Sequence, residues 1–420
     1  MIANGHGGTK YGVPFPVLAR ASFGTTGAHI PALARAVVAC GWFGIQTWIG
    51  GAAIYSICAA VGWITPAVEA DVLPFLGISL GQFLCFLAFW LIHVVIVLAG
   101  IDSIKWVEAW AAPFLIACGV ALFFWALFAV DDISALFERS SHPPEGVSFW
   151  SIFFPQLTAM VGFWATLSLN IPDFTRYCRS QRDQAMGQLM GLPSTMTLFS
   201  FVGIIVTGAT VVLYGEAIWD PVALVSRMGS PTVVVISMIA LLIATLSTNL
   251  AANVVSPANG FSNLLPTRIG FRGGAMITAV IGIIIMPWRL MTDLSDYIFV
   301  WLIGYSALLG PIAGIMLCDY FILRKTELDV DALYDSEGEY GGVSAAAIFA
   351  LILSILPNLP GFLNAVTGTG GTEEALFGAI FDQIYGYAWF IGLPLAMIFY
   401  WIFKTVVFNK SPSIKTMHHG

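Results

Sequence analysis

The sequence predicts an all-α polytopic membrane protein, and three observations carry that reading. Of 420 residues, 58% are hydrophobic and only 10% are charged, with a mean hydropathy of +0.86. The apolar residues run in long continuous stretches. Lysine and arginine fall almost wholly on alternate loops between those stretches. A soluble domain is about 25% charged, and water could not be kept from this much apolar surface. A soluble enzyme, a disordered chain and a nucleic-acid binder are therefore excluded. A membrane β-barrel would need alternating runs of about ten residues, and these stretches do not alternate.

A spanning helix needs about 20 mostly apolar residues. Ten stretches qualify, in order 32–62, 73–99, 105–130, 151–175, 188–214, 232–262, 274–292, 296–322, 342–361 and 384–404. The longest allow tilt or an interrupted helix. With the start of the first span in the cytoplasm, 14 Lys and Arg fall inside, among them Lys10, Arg20, Arg35, Arg176, Arg324, Lys410 and Lys415. Only Arg139, Arg227 and Arg289 fall outside. That is a strong positive-inside bias, and it places both termini in the cytoplasm of a plasma (inner) membrane protein. Residues 324–341 form the longest polar stretch, an acidic cytoplasmic loop. Met1–Thr9 lacks the apolar core of a signal peptide. The six cysteines are scattered, without a CxxC, and read as small buried hydrophobes. The histidines form no ligand cluster: His93 lies mid-span, while His418 and His419 end the tail.

Polar groups inside a bilayer are costly and often mark function. In Cys40–Gly51, Trp42 and Gln46 stand four apart and share one helix face. An indole beside a carboxamide suits a flat ligand, since the ring stacks and the amide reads a donor–acceptor edge. The competing reading is tight packing, to which Gly41, Gly44, Gly50 and Gly51 also point. Around Gly162-Phe-Trp164, the run Asn170-Ile-Pro172-Asp173 suggests a broken or kinked helix, because Pro172 has no amide N–H. Broken helices line substrate sites in many secondary transporters. Asp173 beside Arg176 and Arg179 reads as an interfacial ion pair. In 244–253, the hydroxyls of Ser247 and Thr248 with a nearby carbonyl form an oxygen-rich patch suited to a hard monovalent cation, unless those hydroxyls bond back to their own helix. Asn249 and Asn253 put two carboxamides in one span, and Asn253 is the better ligand candidate. No buried carboxylate pair, Ser/His/Asp order, HExxH or phosphate loop is present. The chain therefore lacks what an enzyme needs, and a transporter needs none of it.

These segments also carry a resemblance. HGGTKYGVPFPVLARASFG (6–24), IPALARAVVACGWFGIQTWIGG (30–51), SLNIPDFTRY (168–177) and LSTNLAANVVSPAN (246–259) resemble the nucleobase:cation symporter-1 family. The resemblance implies a LeuT-like inverted-repeat fold, with two five-helix units and two further helices. It implies import of a planar amide-bearing heterocycle (allantoin, hydantoin, uracil, cytosine or purine) by cation symport with alternating access. By the same resemblance, Trp42 and Trp164 sandwich the ring, Gln46 bonds its edge and Asn253 adds a polar contact. The Ala244 carbonyl and the Ser247 and Thr248 hydroxyls would hold sodium, with a proton as the alternative coupling ion. No cofactor, nucleic acid or obligate protein partner is implied. The single transport domain then divides into 1–31 (cytoplasmic end of family helix two and a loop), 32–130 (rest of the first repeat), 151–322 (second repeat), 342–404 (two additional helices) and 405–420 (tail). Ten spans stand where the family has about twelve, so the sequence as given is expected to lack the family's first helix and most of its second. That expectation keeps an alternative open, a truncated non-transporting remnant or a scaffold or sensor of the same family. In-frame codons for two apolar spans upstream of Met1 would support a misassigned start, and a stop codon there would argue for the remnant.

Overall fold

The computed structural model describes residues 1–65, 72–134, 136, 146–227, 230–291, 296–372 and 374–408. Arg139, Lys410, Lys415, His418 and His419 lie outside the described residues. Helices in chain order are α1 (Ile2–Tyr11), α2 (His29–Ala60), α3 (Leu80–Ala99), α4 (Ile101–Ala129), α5 (Phe149–Asn170) and α6 (Gln181–Tyr214). They continue as α7 (Pro231–Asn253), α8 (Val255–Leu264), α9 (Phe271–Ile284), α10 (Ile303–Leu317), α11 (Ala345–Ile355), α12 (Leu359–Val366), α13 (Ala379–Gly386) and α14 (Ala388–Ile402).

Among the described residues, nine helical segments are long and apolar enough to cross a membrane. The seventh expected span, 274–292, is corrected. Its helix, α9, has only 14 residues, or about 21 Å at 1.5 Å per residue, short of the ~30 Å hydrocarbon core. The cause is local. Met286 takes φ 52° in the left-handed region, and Pro287 then starts a separate four-residue turn. A residue before proline is pushed out of the α region, so the helix cannot continue. The expected 232–262 span is divided at Val254 into α7 and α8. At Pro172 the expected break is present: α5 stops at Asn170 and Pro172–Thr175 forms a short turn. It ends the span rather than interrupting its middle.

Glycines set how closely the central helix α2 is packed. A methyl on Gly44 would come within 2.7 Å of the Gly282 carbonyl, and one on Gly51 within 2.6 Å of the Phe86 Cα. Packing by small residues is how membrane helices approach each other without a hydrophobic drive. The largest buried cluster joins Trp42 and Ile45 of α2 with Ala165 and Leu169 of α5, the whole inner face of α10, and Tyr400 of α14. A second cluster joins Phe43 of α2 with α3, α7, α8 and α9. Thus α2 lies between two packed bodies, and its Trp42 and Phe43 faces point to different neighbours. The described cysteines are all free.

The acidic stretch after α10 is an ordered strap rather than a loose loop. Leu333 is buried, and Thr25 N–H donates to the Tyr340 carbonyl (2.7 Å) while Ser344 N–H donates to the Phe23 carbonyl (2.7 Å). Arg324 donates to Asp319 (2.8 Å) and Glu339 (2.7 Å), and Tyr400 Oη donates to the other Asp319 oxygen (2.8 Å). Burial alone would lower the Arg324 pKa, but Asp319, Tyr340 and Glu339 carry it above its ordinary value.

Candidate functional site

Trp42 is 6% exposed, and three rings from other helices meet it edge to face. These are Phe163 (centroids 5.1 Å), Tyr297 (6.1 Å) and Trp301 (6.3 Å). Two glycines make room for this cluster. A side chain on Gly41 would run into the Trp301 ring, and one on Gly162 would meet Ser306 Oγ and, at 2.7 Å, the Leu302 carbonyl. The Trp42 Nε1 and Tyr305 Oη atoms are buried without a hydrogen-bond partner among the described residues. Buried polar atoms normally have partners, and Trp301 Nε1 of the same cluster is a third without one, so a polar ligand would gain hydrogen bonds here.

Trp164 lies on α5, with Phe163 packed against it at 5.4 Å. The structure therefore strings Trp42, Phe163 and Trp164 together, with Phe163 touching both tryptophans. Phe163 was not expected from the sequence. It stands beside Trp164 in the chain, and the helical period puts neighbours on different faces, which hid its role. Gln46 is half-buried one turn beyond Trp42, and its carboxamide has no partner among the described residues.

The amides of α7 behave differently from one another. Asn249 is fully buried and engaged with α2 and α3, donating to the Phe43 carbonyl (3.2 Å), to Thr47 Oγ1 (3.3 Å) and toward His93 Nε2 (3.1 Å). Asn253 Nδ2 donates to Asn249 Oδ1 (3.0 Å). The α2/α7 register is pinned at two levels. Arg35 Nη2 donates to the Ala252 carbonyl (3.0 Å), and Phe43 accepts from Asn249 one turn higher. Asn253 follows Ala252 directly and lies one turn from Asn249.

Ala244, Ser247 and Thr248 lie together on one stretch of α7. Ser247 is 8% exposed, Ala244 is half-buried and Thr248 is exposed. The back-bonding that would explain such hydroxyls occurs at Thr245, which donates to the Leu241 carbonyl (2.8 Å). Neither Ser247 nor Thr248 has a partner among the described residues. Helix α7 runs unbroken past Ala244, so that carbonyl is not freed by a helix end. The unpartnered oxygens of this stretch are therefore the Ser247 and Thr248 hydroxyls.

Asp173 departs from its expected role. It is 2% exposed, and its Oδ1 accepts the Phe15 backbone N–H (2.9 Å). It tethers the turn before α2 to the end of α5 and is not an exposed ion pair with Arg176 or Arg179. Arg35, counted among the cytoplasmic charges, is likewise buried, and it donates to Asn170 Oδ1 (3.0 Å). Long-range pairings such as these leave no periodic signal in a sequence. Among the described residues no group of His, Cys, Asp or Glu could hold a metal ion.

Three kinds of comparison bear on this arrangement. Residues 1–392 match the family model described as permease for cytosine/purines, uracil, thiamine, allantoin. The chain is 42% identical over 424 residues to the purine-uracil permease of Arabidopsis thaliana, covering 100% of this chain and 69% of that one. It is 40% identical over 429 residues to the allantoin permease of Bacillus subtilis (strain 168), covering 100% and 83%. Among solved structures it resembles Mhp1, a nucleobase-cation-symport-1 family transporter, closed with bromovinylhydantoin bound. The TM-score is 0.73 at 26% identity, over 96% of this chain and 82% of that one. The inward-facing form of Mhp1 matches with a TM-score of 0.66 at 25% identity. The likeness to Mhp1 supports the LeuT-like architecture expected from the sequence.

Proposed function

The chain belongs to the family of permeases for cytosine/purines, uracil, thiamine and allantoin, and from that premise we propose that it imports a planar amide-bearing heterocycle by cation symport. It is an integral membrane transporter and not an enzyme. The observation that carries the substrate reading is the aromatic cluster around Trp42, with the unpartnered Gln46 carboxamide one turn away. Stacking on indole favours a flat ring. A half-buried carboxamide favours a ring edge with both N–H and C=O. Allantoin, hydantoin, uracil, cytosine and oxygen-bearing purines all meet these terms. Trp42 and Trp164 bind the two faces of the ring, Phe163 moving aside. Gln46 and Asn253 read its edge.

The coupling ion binds at Ala244, Ser247 and Thr248. Their oxygens favour sodium, and a proton is the alternative. Coupling then follows from differential binding, since each ligand binds the outward-open form more tightly and so raises the other's affinity. The bundle rocks against the scaffold and releases both inward. The charge bias supports an orientation with both termini cytoplasmic, in a plasma (inner) membrane. The repeat units are 32–130 and 151–322, with 342–404 as additional helices.

Binding tests this before transport. Purified protein in detergent should show saturable quenching of tryptophan fluorescence by at least one ring of the panel, strengthened by sodium. A Trp42→Leu variant should lose most of that quench. Equal quenching in the variant would remove Trp42 from the site.

A further inference from the structure

We propose that His93 is a positioning residue that, through Asn249, makes Asn253 present its carbonyl oxygen to the substrate and so demands a ring N–H at that point. The proposal rests on the reading of Asn253 as a substrate contact.

His93 of α3 is 1% exposed and held edge-on by Phe89 (centroids 4.7 Å) and Phe43 (5.2 Å). Its Nδ1 lies 3.0 Å from the Phe89 carbonyl. A carbonyl only accepts, so Nδ1 carries the hydrogen. Among the described residues no carboxylate pairs with the ring, and burying an unpaired imidazolium is costly. The ring is therefore neutral with Nε2 bare, an acceptor facing the Asn249 amide at 3.1 Å.

Two further groups face the same amide. The Phe43 carbonyl accepts, and the Thr47 hydroxyl has already given its proton to that carbonyl (2.6 Å), so it too can only accept. Three acceptors around one amide end fix that end as the NH2 group. Asn249 must then turn its oxygen the other way, and there it accepts from Asn253 Nδ2 (3.0 Å). The orientation of Asn253 follows in turn. One of its two amide hydrogens goes to Asn249, and its Oδ1 has no partner among the described residues. That free atom accepts and does not donate, so it selects a ring N–H and disfavours a ring carbonyl or an N-methyl group there.

The test is uptake by the full chain in proteoliposomes, using each heterocycle of the panel and its singly N-methylated derivatives. Wild type should prefer one N–H ring over the derivative methylated at that nitrogen. In His93→Leu the KM should rise about tenfold with Vmax held within about twofold, and the N–H preference should shrink. His93→Gln offers an acceptor at the same reach, and it should restore both. An unchanged KM and an unchanged N–H preference in His93→Leu would overturn the proposal. A second measurement needs no variant. Nitrogen-15 NMR of wild-type protein, with His93 assigned through its coupling to the Phe89 carbonyl carbon, should show Nδ1 protonated and Nε2 bare. A hydrogen on Nε2 overturns the relay even if the leucine variant fails to fold. If wild type takes up no ring at all, the functional reading fails on its own, and the tautomer still decides the relay.

Discussion

At the residue scale, the site rests on groups whose chemistry is unspent inside the protein. The Gln46 carboxamide and the Ser247 and Thr248 hydroxyls have no partners among the described residues, whereas Thr245 and Asn249 are fully engaged. Two predictions follow from that difference. Replacing Gln46 by Ala removes one amide contact worth about 0.5–1.5 kcal/mol, so the substrate KM should rise by roughly twofold to tenfold. Leu84→Ala, on an exposed part of α3, should leave it unchanged. Uptake kinetics of the two variants side by side check this. Ser247→Ala and Thr248→Ala should raise the sodium concentration for half-maximal uptake while sparing KM at saturating sodium. If neither shifts the sodium titration, sodium is not bound there. Trp42, Gln46 and the hydroxyl pair could be picked out as candidates in the sequence because polar groups stand out against an apolar span. Phe163, His93 and the buried fate of Asp173 were not, because each is defined by a partner more than a hundred residues away in the chain.

At the element scale, the strap after α10 ties the helix ends on its side of the bundle together through one buried cation. Arg324 is 9% exposed, and its partner Asp319 is fully buried. Breaking such a pair from one side typically costs about 3–5 kcal/mol, because the remaining charge stays buried. Arg324→Met should therefore lower Tm clearly, and the double variant with Asp319→Asn should recover much of the loss. Thermal unfolding in detergent reads both, and an unchanged Tm in Arg324→Met would show the strap to be dispensable. A weaker clasp lies beside it, where Lys10 Nζ donates to Glu327 (2.7 Å). The hydrogen bond and charge of Lys10 hold the Glu327 carboxyl below its ordinary pKa. Its contribution is present above the usual carboxylate range and is lost as pH falls through the depressed value. The small Tm difference between wild type and Lys10→Met should accordingly vanish in acid and in high salt. A difference that persisted at low pH would argue against the ion pair. Hydropathy announced these elements well, but it overextended α9. Mean apolarity does not register that a residue before proline leaves the α region, and Met286–Pro287 ends that helix.

At the scale of the whole molecule, α2 is the shared wall of two bodies. Its Trp42 face closes on α5 and α10, and its Phe43 face closes on α3 and α7. At the proposed sites, a substrate beside Trp42 and a cation on α7 would touch elements packed against the same helix, which would give their binding a physical route to cooperate. The fold class and most spans were readable from composition and charge placement, since a bilayer leaves few choices. How α2 divides its faces was not readable, because both faces are apolar and only packing tells them apart. The central claim is coupled transport of a heterocycle, and one measurement addresses it directly. Full-chain protein in proteoliposomes is given radiolabelled allantoin, hydantoin, uracil, cytosine and purine, with and without an inward sodium gradient. The account predicts saturable accumulation of at least one ring above its outside concentration, driven by the gradient and abolished when it is collapsed. Accumulation of none of them under a sodium or proton gradient, or uptake that merely equilibrates regardless of either, would contradict it.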